Sequence, residues 1–129
     1  MSRPPQRPAS PPATADPRPQ VERSGAGWML VGGRCAACAY PLAATARRCP
    51  ACRADAVEPA RFGPDGVVWS ATVVRVDADG RTAPYALAYV DLDDGPRILA
   101  HADVAPSVGA RVRLAGATVE GDPLVELAG

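Results

Sequence analysis

Four cysteines carry the clearest chemistry in this sequence: Cys35-Ala36-Ala37-Cys38, ten intervening residues, then Cys49-Pro50-Ala51-Cys52. Two residues between a pair of thiolates let one tight turn present both sulfurs to a shared ion at about 2.3 Å, and two such turns complete a tetrahedron. The arrangement predicts one structural zinc ion held by Cys35, Cys38, Cys49 and Cys52 in ribbon or rubredoxin-like knuckles. Iron in a rubredoxin-type site ranks behind zinc, because four soft thiolates suit both metals, and dithiol redox chemistry ranks last. A shell filled by four cysteines leaves no open position for a substrate. Many such knuckles place glycine just after the second cysteine, where a positive φ turns backbone N–H groups toward the sulfurs; here Ala39 and Arg53 occupy those places.

Elsewhere the residues suggest less chemistry. His101 is the single histidine, at the end of a predicted strand, with no serine or cysteine nucleophile near it in sequence. Asp91, Asp93 and Asp94 cluster at a hairpin, where carboxylates act as solvated turn formers and guard an edge strand. Trp69, Tyr85 and Tyr89 fit either an exposed aromatic face or the core and rim of a barrel, and the second reading is preferred. No catalytic residue is assigned, and the chain is expected not to be an enzyme in its own right.

The elements that must position the cysteines follow from the hydrophobic pattern. Trp28-Met29-Leu30-Val31 reads as a short strand and Gly32-Gly33 as a turn into the metal segment. After a connector at Arg61 to Gly66, Val67 to Val76 is rich in β-branched residues and reads as a long strand. Asp79-Gly80 marks a turn, Tyr85 to Leu92 a second strand, Asp93-Asp94-Gly95 a tight hairpin and Arg97 to His101 a third strand. Arg111-Val112-Arg113-Leu114 alternates charged and apolar residues and continues through Thr118-Val119, before Gly121-Asp122-Pro123 turns the chain into Leu124 to Leu127. Five strands without a helix suit a small closed barrel. An OB-fold is expected, with an SH3-like barrel as its rival.

Composition divides the 129 residues further. Seven of the 15 prolines fall in the first 27 residues, which hold too little apolar bulk to offset the entropy of ordering them. The expected organisation is a disordered Pro-rich tail at 1–27, a zinc ribbon at 28–60 and an OB-fold barrel at 61–129, a mostly β architecture. PxxP spacings such as Pro5 with Pro8 exist, but a solvated leader is the preferred reading. No apolar stretch is long enough to span a membrane and no secretory signal is visible, so a cytoplasmic protein is expected, in which paired cysteines serve as ligands and not as disulfides.

Net charge is zero, yet residues 1 to 60 carry eight arginines against four acids and residues 61 to 129 six arginines against ten acids. Single-stranded nucleic-acid binding, the alternative function for a ribbon followed by a barrel, needs a basic groove with stacking aromatics, and an acidic barrel half argues against it.

The segments RCAACAYPLAATARRCPAC, GVVWSATVVRVD and APYALAYVDLDDGPRILAHA together resemble the zinc-ribbon OB-fold proteins that accompany thiolases and lipid-transfer-protein-type thiolase homologues. The likeness covers about residues 28 to 119. It implies an accessory subunit of a thiolase-like complex in fatty-acid, sterol or polyketide metabolism, sometimes joined by a MaoC-like hydratase, with contact to acyl-CoA in some members. Arg97 and Tyr85 are the candidate contacts for phosphate or adenine.

Overall fold

A computed structural model describes residues 18–25, 27–77 and 82–128. The first 17 residues, and with them most of the Pro-rich stretch, lie outside the described residues, as does the Asp79-Gly80 turn.

The described residues form nine strands. In the first sheet the long β2 (Gly27–Cys35) is central: β1 (Gln20–Ser24) and the short β3 (Pro41–Leu42) pair with successive stretches of it, and β4 (Val57–Phe62) pairs along Leu30 to Cys35. β1 corrects one expectation. Residues 20 to 24 were expected to belong to a disordered tail, but their backbone groups pair with β2, and Val21 packs against the core. Gly32 and Gly33 are a second correction, since they lie inside β2 and form no turn. A Cβ on Gly32 would collide with the Leu42 carbonyl oxygen and one on Gly33 would sit 2.9 Å from the Val57 side chain. Bare backbone is what lets β3 and β4 close around the start of the metal segment.

Five further strands, β5 (Asp65–Val74), β6 (Tyr85–Leu92), β7 (Arg97–Ala102), β8 (Arg111–Ala117) and β9 (Pro123–Leu127), close into a barrel in the order β5-β6-β7-β9-β8. In a meander every strand would pair antiparallel with its neighbour in sequence. Here β7 skips β8 and pairs with β9 in parallel at His101 and Leu124, while β8 crosses to β5. That Greek-key closure is the OB arrangement, so the SH3-like alternative falls away. The expected connector at 61 to 66 is shorter than foreseen, because Arg61-Phe62 completes β4 and Asp65-Gly66 begins β5.

Along β6 the period of two is clean: Ala86, Ala88, Val90 and Leu92 point inward and are buried. Ala88, Val90 and Leu92 form one cluster with Val68, Ile98, Ala100, Val112, Leu114 and Val125 inside the barrel, and Leu30 and Phe62 of the first sheet join it. Three inward alanines keep the barrel narrow enough to be filled by side chains. No helix among the described residues is long and apolar enough to cross a membrane.

Candidate metal centre

β2 delivers Cys35 at its last residue, and the two C-x-x-C turns then repeat one geometry. The Ala39 amide donates to the Cys35 carbonyl and the Arg53 amide to the Cys49 carbonyl, each at 2.8 Å. The Cys35 amide in turn donates to Tyr40 and the Cys49 amide to Ala54, each at 3.0 Å. Both turns close through a left-handed residue, Ala39 with φ 69° and Arg53 with φ 68°. The conformation is the one a glycine would favour, so each non-glycine residue is held there at a cost of about 1 kcal/mol.

The turns bring all four sulfurs within 4.8 Å of one another, with Cys35 to Cys52 and Cys38 to Cys49 each at 3.6 Å. A tetrahedron with metal–sulfur bonds near 2.3 Å has edges of about 3.8 Å. The four thiols are therefore spaced to hold a metal ion. Cys35 and Cys49 are buried, Cys38 and Cys52 exposed, and the Ala51 amide donates to Cys49 Sγ at 3.3 Å.

Crowding shapes their ionisation. The Tyr40 amide favours the Cys38 thiolate, but partial desolvation and the other three sulfurs outweigh it and push this thiol up to about 12. At Cys49 burial opposes ionisation, and the Cys52 and Ala51 amides together with the Cys38 and Cys52 thiols overcome it, drawing this thiol down to about 7. Four thiolates at this spacing repel one another, and a bound cation is what makes the fully ionised set favourable. The donor set fits a soft divalent ion.

Arg34 ties this centre to the barrel. Its guanidinium donates to the Ala39 carbonyl at 2.8 Å and to the Asp94 carbonyl at 2.7 Å, and lies 5.2 Å from the centre of the Phe62 ring. Sequence reasoning missed this residue, because its partner in the β6–β7 hairpin is 60 positions away. Beside the tie, Tyr40, Pro41 and Pro50 of the ribbon face Pro96 and Arg97 of the barrel across a shallow groove.

On the barrel surface next to it, Asp91 accepts two hydrogen bonds from Arg97, at 2.6 and 3.1 Å, and the Arg97 guanidinium lies 3.9 Å from the centre of the Trp69 ring. The bonds from Arg97 hold the Asp91 carboxyl below its usual range, and those from Arg111 do the same for Asp93. Trp69 meets Tyr89 edge-on, with ring centres 6.1 Å apart. Both are exposed, which removes them from the core; Tyr85 is half-buried. Asp91 and Asp93 are thus partners of arginines, not merely turn formers. Tyr85 instead stacks near His101, at 5.9 Å between ring centres, and His101 Nε2 lies 3.5 Å from an Asp122 oxygen.

Comparison with known proteins places these features in a group. A family model for the C-terminal OB-fold domain of ChsH2 matches residues 60–117. A search of curated proteins finds no match. Among solved structures, a chain named "Ltp2-ChsH2(DUF35) aldolase" is similar with a TM-score of 0.60 and 27% identity, covering 78% of this chain and 85% of that one. The name corrects the expectation of a protein that is not an enzyme, because the similar structure is an aldolase assembly. Residues 60–117 are thus similar to the C-terminal OB-fold domain of ChsH2, and the four-cysteine cluster lies ahead of them in the chain.

Proposed function

We propose that this protein is a subunit of an aldolase-type complex formed with a thiolase-like lipid-transfer enzyme, and that the complex acts on acyl-CoA thioesters. The observation that carries the reading is the two-part architecture: ribbon and barrel together are matched over 78% of the chain by a structure named for such an assembly. An aldolase cleaves or forms the carbon–carbon bond next to a β-hydroxyl group, so the substrate class is a β-hydroxyacyl thioester. Fatty-acid, sterol and polyketide side chains all fall within it. A MaoC-like hydratase, which adds water to an enoyl thioester, would supply that hydroxyl and is a natural third member.

In this reading Cys35, Cys38, Cys49 and Cys52 hold one zinc ion. The ion supplies a fixed positive charge that keeps four thiolates together and presents no open position to substrate. A reducing cytoplasm keeps the thiols available for it. Arg97 is not a free phosphate contact, because Asp91 and Trp69 already hold its guanidinium. The nucleic-acid alternative loses ground for the same reason: Arg97 and Arg111 are both capped by carboxylates.

Co-expression with a thiolase-like lipid-transfer enzyme of the same organism tests the proposal. A stable two-protein complex that cleaves β-hydroxyacyl-CoA, with neither chain active alone, is the expected result. A protein that stays alone in the presence of that enzyme and leaves its turnover unchanged would refute it. Metal analysis of the purified protein should find about one zinc per chain.

A further inference from the structure

We infer that the partner enzyme docks on a composite surface formed by Trp69, Tyr89, Leu99 and Arg97 of the barrel together with Tyr40 and Pro50 of the ribbon. This rests on the subunit reading above and adds the site of contact.

The surface begins at a β-bulge. Pairing between β5 and β6 passes from Val68 with Val90 to Ser70 with Tyr89, so Trp69 is the extra residue, turned out of the ladder. Bulges re-aim a side chain at the cost of a locally disrupted ladder, and here the side chain aimed at solvent is a tryptophan. Trp69 is 53% exposed, Tyr89 44% and Leu99 41%, on three adjacent strands. Large apolar residues are common singly on a surface, but a contiguous set marks an interaction site. Trp, Tyr and Arg are also the residue types that dominate binding energy at protein interfaces.

The set is already ordered. The Arg97 guanidinium sits over the Trp69 ring while Asp91 holds it with two hydrogen bonds, so the stack costs little further entropy when covered. The same Arg97 lines the groove toward Tyr40, Pro41 and Pro50, which makes the surface continuous across both modules. Tyr40 is exposed at the end of the first metal knuckle.

Charge selects the occupant. Arg97 is neutralised by Asp91 and Arg111 by Asp93, so the patch carries paired ions around an apolar centre. An anionic strand or lipid headgroup gains nothing from such a surface, whereas an apolar, uncharged strip of a protein is matched by it. The occupant is the lipid-transfer partner of the subunit reading, since the similar structure is named for Ltp2 together with ChsH2, and what this surface asks of it is an apolar strip.

The test compares binding of the purified enzyme to the zinc-loaded full chain and to Trp69→Ala, Tyr89→Ala and, as a control at an exposed apolar position elsewhere, Val119→Ser. Zinc content and thermal unfolding of each variant report folding. Trp69→Ala is expected to weaken the complex about 30-fold with metal content and unfolding unchanged, Tyr89→Ala somewhat less, and Val119→Ser not at all. Wild-type affinity in both aromatic variants would overturn the surface while leaving the complex intact. No binding by the wild-type chain would overturn the subunit reading as well. Self-association of the wild-type chain that Trp69→Ala abolishes, with enzyme binding untouched, would assign the surface to a second copy and refute the proposal. Quenching of Trp69 by an oligonucleotide at low salt would refute it in favour of nucleic acid.

Discussion

The ribbon and the barrel are built from the same kind of strand but hold together by different means. Nine of the eleven buried residues in the main cluster come from the barrel strands, and only Leu30 and Phe62 come from the first sheet. Between Cys35 and Val57 the chain has a single two-residue strand, and Leu42, Cys35 and Cys49 are its buried apolar groups. A segment with so little to bury needs a cross-link, and coordination provides one where a core cannot. With the proposed metal bound, the cysteines do for the ribbon what valine, leucine and isoleucine do for the barrel.

The largest expected effect breaks the ribbon and spares the barrel. Removing the proposed metal with a chelator should forfeit coordination free energy on the order of 10 kcal/mol, and Cys49→Ser a share of it. Amide hydrogen exchange should then show residues 35 to 57 unprotected while β6 and β7 remain slow. Equal protection in both regions after chelation would erase the contrast.

Next in size is a change that asks how separate the two parts are. Leu30 is fully buried in the cluster it shares with the barrel, although β2 belongs to the other sheet. Leu30→Ala should cost about 3 kcal/mol and lower the thermal midpoint of the barrel signal as well as the ribbon's. A midpoint shift confined to the ribbon would mean two independent units.

A smaller effect sharpens the comparison inside the ribbon. Glycine at the left-handed positions Ala39 and Arg53 should relieve strain and raise ribbon stability by about 1 kcal/mol each, read as slower metal loss to a competing chelator. The smallest effect belongs to the barrel surface. The Asp91 carboxyl is held below its ordinary value by Arg97, so its contribution is fully present above the unfolded value of 3.8 and is lost as pH falls through the depressed folded value. Trp69 fluorescence should report that loss as Arg97 is released, and Asp91→Asn should flatten the acid limb. Because the pair is half exposed, solvent screening keeps its share of stability small.

Much of this was legible in the sequence. The barrel strand at Tyr85–Leu92 was read with the bounds it has, since one face is buried and the period of two is unambiguous there. β1 and β4 were missed because neither carries a regular alternation: Gln20–Ser24 is mostly polar, Val57–Phe62 mixes apolar residues with Pro59 and two charges, and both are strands because β2 lies alongside to take their hydrogen bonds. The glycine pair at 32 and 33 misled in the same way. Sequence offers glycine as a turn former, while the fold uses these two for close approach to Leu42 and Val57.

By itself, then, the sequence determined the four-thiol set and the inward face of the barrel, because both are written in local spacing. Tertiary structure decided what depends on distant residues. It chose the Greek-key closure through the parallel pairing of β7 with β9, and it joined ribbon to barrel through Arg34 and Asp94. It also turned Trp69 outward at a bulge. Each is an encounter between segments far apart along the chain, and no local pattern encodes which of them will meet.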